Sequence, residues 1–332
     1  MSLIDIIVGV KNEGMYIKKC IKSLQAQNIN DIGIIVVDGL SDDNTREIVE
    51  ELMKEDKRIK LLINKNEIIS SGRNIGFKDS KAEFITYIDG HTFVESDWLE
   101  ILYNSFIKYE KSCKLGCVGS TYAIPEDEQD LGKVINFCFN TLFGGFGTSV
   151  TQDKEIKRVD TVAFGIYKRS ILTELCITYD EEMTHCEDTD FNYKLLKEDY
   201  ILLKHPKALV YQYKRRNLKD FSKQMYNYGM GRSRLLKKYP RSIKLFVLIP
   251  VLFVLYLCLL IIVSIIYLIK TLNIQFLLIL FIPAIIYLII NTTYTLMCMA
   301  KIKEIKAAVA FLVFPIEHIY YSIGFIRNFF KS

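Results

Sequence analysis

From Leu245 to Ile269 the chain runs for 25 residues without a charged side chain. A helix needs roughly 20 apolar residues to cross a bilayer, so this stretch is expected to span one. A second uncharged run follows from Thr271 to Ala300, and a third apolar run, Ala307 to Ile326, is interrupted by Glu317 and His318. Charge at bilayer depth is expensive, so the third run either spans with a polar interior or sits near an interface. Two or three transmembrane helices are therefore expected, at about 245–269, 272–299 and 307–326. Arg232, Arg234, Lys237, Lys238, Arg241 and Lys244 crowd the entry to the first run, Lys301, Lys303 and Lys306 follow the second, and the link between them carries only Lys270. That bias puts everything before Leu245 in the cytoplasm and makes the chain a multi-pass protein of the cell membrane. Met1 to Val10 is too short, and with Asp5 too charged, for a signal peptide. The net charge of +5 gathers beside the apolar runs, which reads as contact with a lipid bilayer and not with nucleic acid. The eight cysteines are scattered, and Cys113 and Cys117 lack a second pair at zinc-site spacing, so free thiols are expected.

The first 240 residues read as one soluble α/β domain. Leu3–Val10, Gly33–Val37, Lys60–Ile63 and Phe84–Ile88 are short apolar runs, each followed by a polar turn and a helix-period stretch. Between the first two, Ile17, Cys20, Ile21 and Leu24 recur at helical spacing. Further helices are expected at Arg46–Glu55, Ser70–Lys78, Ser96–Tyr109 and Phe191–Lys197, and an amphipathic one at 217–239. This alternation marks βαβ units, hence a Rossmann-like, mainly parallel sheet with helices on both faces. Thr121 to Val159 is poorly patterned and reads as a mobile loop or as disorder.

Two strands end in acids. The second runs into Asp38-Gly39 and the fourth into Asp89-Gly90-His91. In a parallel sheet both acids emerge at the carboxyl edge, where open α/β sheets bind ligands. In extended backbone Asp89 and His91 point the same way, so a carboxylate oxygen and an imidazole nitrogen can share a divalent cation; Asp-Gly is equally ordinary turn chemistry. Carboxylates here, without a dinucleotide glycine fingerprint, suit a nucleotide diphosphate that brings Mg²⁺ or Mn²⁺ with it. Asp38 is placed either to accept hydrogen bonds from a base or ribose or to close its own turn.

Val8-Gly9-Val10-Lys11-Asn12-Glu13, Ile35-Val36-Val37-Asp38-Gly39-Leu40-Ser41-Asp42-Asp43-Asn44-Thr45, Gly72-Arg73-Asn74-Ile75-Gly76 and Tyr87-Ile88-Asp89-Gly90-His91 resemble, in order and spacing, the nucleotide-binding motifs of family 2 glycosyltransferases. These are inverting enzymes with the GT-A fold. Within the family the chain is similar to membrane-anchored exopolysaccharide enzymes of the succinoglycan-biosynthesis type, which carry Asp-x-His and apolar helices after the catalytic domain. Asp160 to Tyr167 resembles that subgroup's acceptor-side segment. The resemblance implies that Asn12, Glu13, Asp38, Arg73 and Asp89 bind the donor, and that Asp89 and His91 hold the metal. It also implies a nucleotide diphosphate sugar as donor and a lipid-linked or glycan acceptor.

Inverting transfer needs a carboxylate to take the acceptor proton. Thr184-His185-Cys186-Glu187-Asp188 supplies candidates, and the resemblance gives the role to Asp188. Thr184 and Glu187 also have the spacing of a capping box, so Glu187 is expected to cap while Asp188 catalyses. Lys214-Arg215-Arg216 offers a cationic cluster for the diphosphate, with Arg216 its last member. Gln224 matches the first residue of the Gln-x-x-Arg-Trp motif of processive relatives, but Asn227 and Tyr228 replace Arg-Trp, which argues against processive synthesis. Alternatives are a processive polysaccharide synthase, a catalytically silent nucleotide-sugar-binding subunit, and a nucleotidyltransferase, the last lacking a Gly-rich triphosphate loop.

Overall fold

The computed structural model describes residues 2–145, 154–240, 244–270 and 274–331. The chain divides into two compact units, Met1–Pro125 with Ser149–Tyr213 and Glu126–Thr148 with Lys214–Ser332. In chain order the strands are β1 (Ile4–Val10), β2 (Ile32–Asp38), β3 (Ile59–Ile63), β4 (Phe84–Asp89), β5 (Thr92–Val94), β6 (Leu115–Ala123), β7 (Lys157–Val159), β8 (Ala163–Lys168) and β9 (Ile201–Gln212). The helices are α1 (Ile17–Gln25), α2 (Thr45–Glu55), α3 (Ile69–Asp79), α4 (Trp98–Tyr109), α5 (Asp130–Phe139), α6 (Arg169–Glu174) and α7 (Glu187–Lys197), followed by α8 (Leu218–Lys238), α9 (Ile249–Lys270), α10 (Ile274–Ile302) and α11 (Ala310–Phe329).

All strands belong to the first unit, in one mixed sheet of order β3-β2-β1-β4-β8-β6-β9-β5 with β7 paired to β9. β1 pairs in parallel with β2 and β4, and β2 with β3, as the βαβ pattern requires. β8 runs antiparallel to both β4 and β6. That half of the sheet follows the poorly patterned middle of the chain, where no βαβ rhythm announces a strand.

Successive residues of a strand face opposite ways, and here both faces are covered. Ile4, Ile6 and Val8 of β1 join Ile34 and Val36 of β2 in a core closed by Ile17, Ile21 and Leu24 of α1. Ile7, Ile35, Val37 and Tyr87 face the other way, onto Phe191 and Leu195 of α7. Gly76 lets α3 lie close on β1, since a Cβ there would stand 2.5 Å from Ile7 Cγ2.

Glu126–Thr148 belongs to the second unit, where α5 replaces part of the expected loop; residues 146–153 lie outside the described residues. Its core joins Val134 and Cys138 of α5, Phe221 and Met225 of α8, Cys298 of α10 and Phe314 of α11. Leu245–Tyr267, Leu278–Ile302 and Ile305–Phe329 are long and apolar enough to cross a membrane. Glu317 and His318 face the interior: His318 Nε2 donates to the Phe143 carbonyl at 2.9 Å and Nδ1 accepts from the Tyr287 hydroxyl at 2.9 Å. None of the eight cysteines, all of them among the described residues, is in a disulfide.

Candidate active site

Register brings the two strand-end acids together across β1. Val10 pairs with Asp38 and Gly9 with Asp89, so the carboxylates leave the same sheet edge two strand spacings, about 10 Å, apart. Asp38 is fully buried and closes its own loop, accepting the Ser41 N–H at 3.1 and 3.3 Å with Arg46 Nε at 3.4 Å. Asn12, in left-handed backbone at φ 57°, ties the β1 loop to this turn. Its N–H donates to Ser41 Oγ at 2.8 Å and its Oδ1 accepts from the Asp42 N–H at 3.0 Å.

Arg73 is the hub of the edge. It sits on α3, its side chain only 3% exposed, and reaches three carboxylates: Asp89 Oδ1 at 3.1 Å, Glu187 Oε1 at 3.0 Å and Asp188 Oδ1 at 2.6 Å. The Tyr179 ring lies 5.0 Å from the guanidinium carbon, and its hydroxyl donates to Asp188 Oδ1 at 3.3 Å. Burial works against the charge on Arg73, but Asp188, Tyr179, Glu187 and Asp89 hold it firmly protonated. Burial pushes the Glu187 carboxyl up to about 7, with Asp188 adding to the shift and Arg73 opposing it. Asp188 is also raised by burial, with Arg73 opposing and Asp89 adding. When all are ionised, this cluster carries two more negative charges than positive ones.

Glu187 does not cap α7. The residue before the helix is Cys186, in left-handed backbone at φ 59°, and its side chain makes no cap hydrogen bond. The helix starts at Glu187, earlier than its apolar residues suggest, with the Glu187 carboxylate on Arg73.

His91 is reached by a different route from the one its spacing suggests. β4 stops at Asp89 and Gly90-His91 is a turn, so the rule that alternate residues face the same way does not apply. His91 Nδ1 meets Glu13 Oε1 at 2.8 Å and Nε2 meets the Gln212 amide nitrogen at 3.1 Å. With Gln212 donating, Nδ1 carries the proton to Glu13 and the Nε2 lone pair accepts from the Gln212 amide. Among the described residues no group of three or more His, Cys, Asp or Glu side chains stands ready to hold a metal. The donor set nonetheless fits a cation that arrives on a diphosphate, which needs only one or two protein ligands, and the excess negative charge around Arg73 suits it. Arg216 and Gln224 belong to the second unit, Arg216 exposed and Gln224 donating to the Tyr228 hydroxyl at 3.3 Å. Tyr179 and Gln212 carry no sequence signal, since neither falls in a periodic or motif position.

A sheet with parallel strands β1 to β4, two acids at its carboxyl edge and a carboxylate-bearing helix start beside them is the GT-A architecture of sugar-transferring enzymes. The family model for glycosyl transferase family 2 matches residues 5–176, just over half of the chain, and the chain belongs to that family. It is 29% identical over 245 residues to a Methanococcus voltae dolichyl N-acetyl-alpha-D-glucosaminyl phosphate 3-beta-D-2,3-diacetamido-2,3-dideoxy-beta-D-glucuronosyltransferase, covering 72% of this chain and 75% of that one. It is 28% identical over 181 residues to the GalNAc(5)-diNAcBac-PP-undecaprenol beta-1,3-glucosyltransferase of Campylobacter jejuni, covering 52% of this chain and about half, 53%, of that one. Among solved structures it shares the fold of S. aureus TarS in complex with UDP-GlcNAc, at TM-score 0.51 and 17% identity over 71% of this chain and 73% of that one.

Proposed function

We propose that this glycosyltransferase moves a sugar, with inversion, from a nucleotide diphosphate sugar to a membrane-borne, lipid-linked acceptor during envelope or exopolysaccharide assembly. The observation that carries the reading is the Arg73 hub, which holds the donor-side Asp89 and the helix-borne Asp188 on one guanidinium. Asp188 keeps 31% of its side chain exposed and is the carboxylate there most open to an incoming hydroxyl. Its raised pKa suits a group that must accept a proton near neutrality. The acceptor oxygen gives its proton to Asp188 as it bonds to the anomeric carbon. The bond from that carbon to the phosphate oxygen breaks, and the electron pair leaves with the nucleoside diphosphate.

Asp38 and Asn12 form the floor for the nucleoside, and Asp89 with His91 are the residues that would hold a divalent cation. When bound, such a cation supplies charge stabilisation to the departing diphosphate. Glu13 fixes the His91 ring from Nδ1, and a cation at Nε2 would take the place of the hydrogen bond from Gln212. The lipid-linked acceptor is supported by three helices of membrane-crossing length and by relatives whose names specify dolichyl- and undecaprenol-linked substrates. The test is release of nucleoside diphosphate by detergent-purified protein across a panel of nucleotide sugars, with and without Mn²⁺ or Mg²⁺. Metal-dependent release from one donor supports the reading. Release of pyrophosphate from a nucleoside triphosphate instead would overturn it.

A further inference from the structure

We infer that α11 does not cross the membrane but lies in the plane of its cytoplasmic-side interface, so that only α9 and α10 span. α9 and α10 form an antiparallel hairpin: Tyr256 donates to the Leu280 carbonyl at 2.6 Å, and Phe253 stacks on Tyr287 at 4.4 Å. The start of α9, near Leu245, and the end of α10, at Ile302, are therefore at the same end of the hairpin. α11 stays near that end along its length. Asn291 donates to the Phe311 carbonyl at 3.1 Å, Tyr287 bonds His318 at 2.9 Å, and the Tyr321 hydroxyl donates to the Val247 carbonyl at 3.3 Å. At 1.5 Å per residue, Phe253, Tyr287, Asn291 and Val247 all lie within about 12 Å of the level where the first apolar run begins. A helix crossing the bilayer from Ile305 would have carried Tyr321 about 24 Å away from that end.

A second observation is independent of the first. α8, with Lys219, Lys223, Arg232, Arg234, Lys237 and Lys238, lies against α11. A Cβ on Gly229 would stand 1.9 Å from the Tyr321 carbonyl oxygen, and one on Gly324 would stand 2.0 Å from that of Tyr226. Lys237 Nζ bonds the carbonyls of Asn328 and Lys331 at 3.0 and 2.7 Å, and Arg327 bonds the Tyr226 hydroxyl at 2.8 Å. A spanning α11 would drag this basic helix through the hydrocarbon with it. Burial agrees, for 44% of the α11 apolar window is buried inside the protein against 17% and 11% for the other two.

What α11 leaves uncovered is a stripe of Leu312, Ile319, Tyr320, Ile323 and Phe330, at helical spacing along one face. Its occupant is the boundary between lipid headgroups and acyl chains. α9 and α10 expose apolar residues as well, and exposed Lys301, Lys303 and Arg327 stand beside or within α11 as cations flank an interfacial helix on anionic lipid.

The test places tryptophan at Phe311, Ile319 and Phe330 in separate variants (F311W, I319W, F330W) of the full chain, reconstituted in vesicles and quenched by lipids brominated at graded acyl depths. Native Trp98 is fully buried and gives a constant background. An in-plane helix gives one shallow depth for all three positions. A spanning helix puts Ile319 near the bilayer centre and separates Phe311 from Phe330 by about 28 Å, and that result would overturn the inference. A short epitope tag after Ser332 is the second measurement, with no core residue altered. Protease on oriented vesicles should remove it from the same face as a tag at Met1; removal from the opposite face sinks the proposal.

Discussion

Removing Arg73 isolates the electrostatics of the site from everything else. In an Arg73→Met variant the apolar stem is roughly kept while Asp89, Glu187 and Asp188 lose their shared cation. Breaking a buried pair by deleting one partner costs about 3–5 kcal/mol. Asp89 and Asp188 are 22% and 31% exposed, so water screens part of the loss and the lower end, about 3 kcal/mol, applies. For a unit of this size that is a fall of about 6–12 °C in Tm. The pH dependence is the sharper test. Glu187 and Asp188 already have folded pKa values above the ordinary carboxylate range, Glu187 at about 7, and losing the guanidinium pushes both higher. A carboxyl raised on folding costs nothing below its unfolded pKa and costs progressively more as pH climbs toward its folded one. The gap between variant and wild type should therefore be small at about pH 5 and widest above pH 8. The single tryptophan, Trp98, is buried in the first unit with its indole N–H on Ser120 Oγ at 2.9 Å, so its fluorescence on heating reports that unit alone. A gap of the same size at both pH values would show that Arg73 contributes packing only and would refute the hub.

Asp188→Asn should abolish sugar transfer while calorimetry still detects donor binding; full activity would remove Asp188 as the base. Wild-type transfer should fall on acidification, first as Glu187, pushed up to about 7, stops balancing Arg73, and then as Asp188, whose carboxyl is raised in the same direction, is protonated and can no longer accept the acceptor proton. Asp89→Ala should eliminate metal-dependent donor affinity. Glu13→Ala, which frees His91 to turn, should weaken Mn²⁺ binding about 10–100-fold when measured by calorimetry with nucleoside diphosphate present. Gly229→Ala places a methyl 1.9 Å from a backbone oxygen and should cost at least about 1–3 kcal/mol in the helical unit while leaving the Trp98 transition unmoved. Coincident loss of both transitions would show that the two units unfold as one.

The parallel half of the sheet is legible in the sequence because a strand buried on both faces has no room for polar alternation. Ile4 to Val10, Ile34 to Val37 and Phe84 to Ile88 read as apolar runs for that reason alone, and the acids that end them fall at the ligand edge without further information. β8 is less legible. It lies antiparallel between β4 and β6, and no crossover helix leads into it to set a rhythm. α5 was hidden for another reason: its apolar residues Val134, Ile135 and Cys138 serve the core of the helical unit, so nothing in the sheet's periodicity anticipates them.

The site shows where local rules stop. Thr184 and Glu187 satisfy a capping box by spacing, and an isolated helix of this sequence would use it. In the folded chain the Glu187 carboxylate bonds Arg73, a residue 114 positions away, even though burial and Asp188 push its carboxyl up to about 7 there. His91 fails the same way: two residues after Asp89 it should share that strand's face, but the strand ends at the acid and the turn hands His91 to Glu13 and Gln212. In both cases a short-range pattern lost to a charge or a lone pair with a stronger distant partner, and in both the partner comes from another segment of the same edge. Such reversals are expected where function concentrates charge, so a motif residue whose local rule fails is a better guide to the chemistry than one whose rule holds.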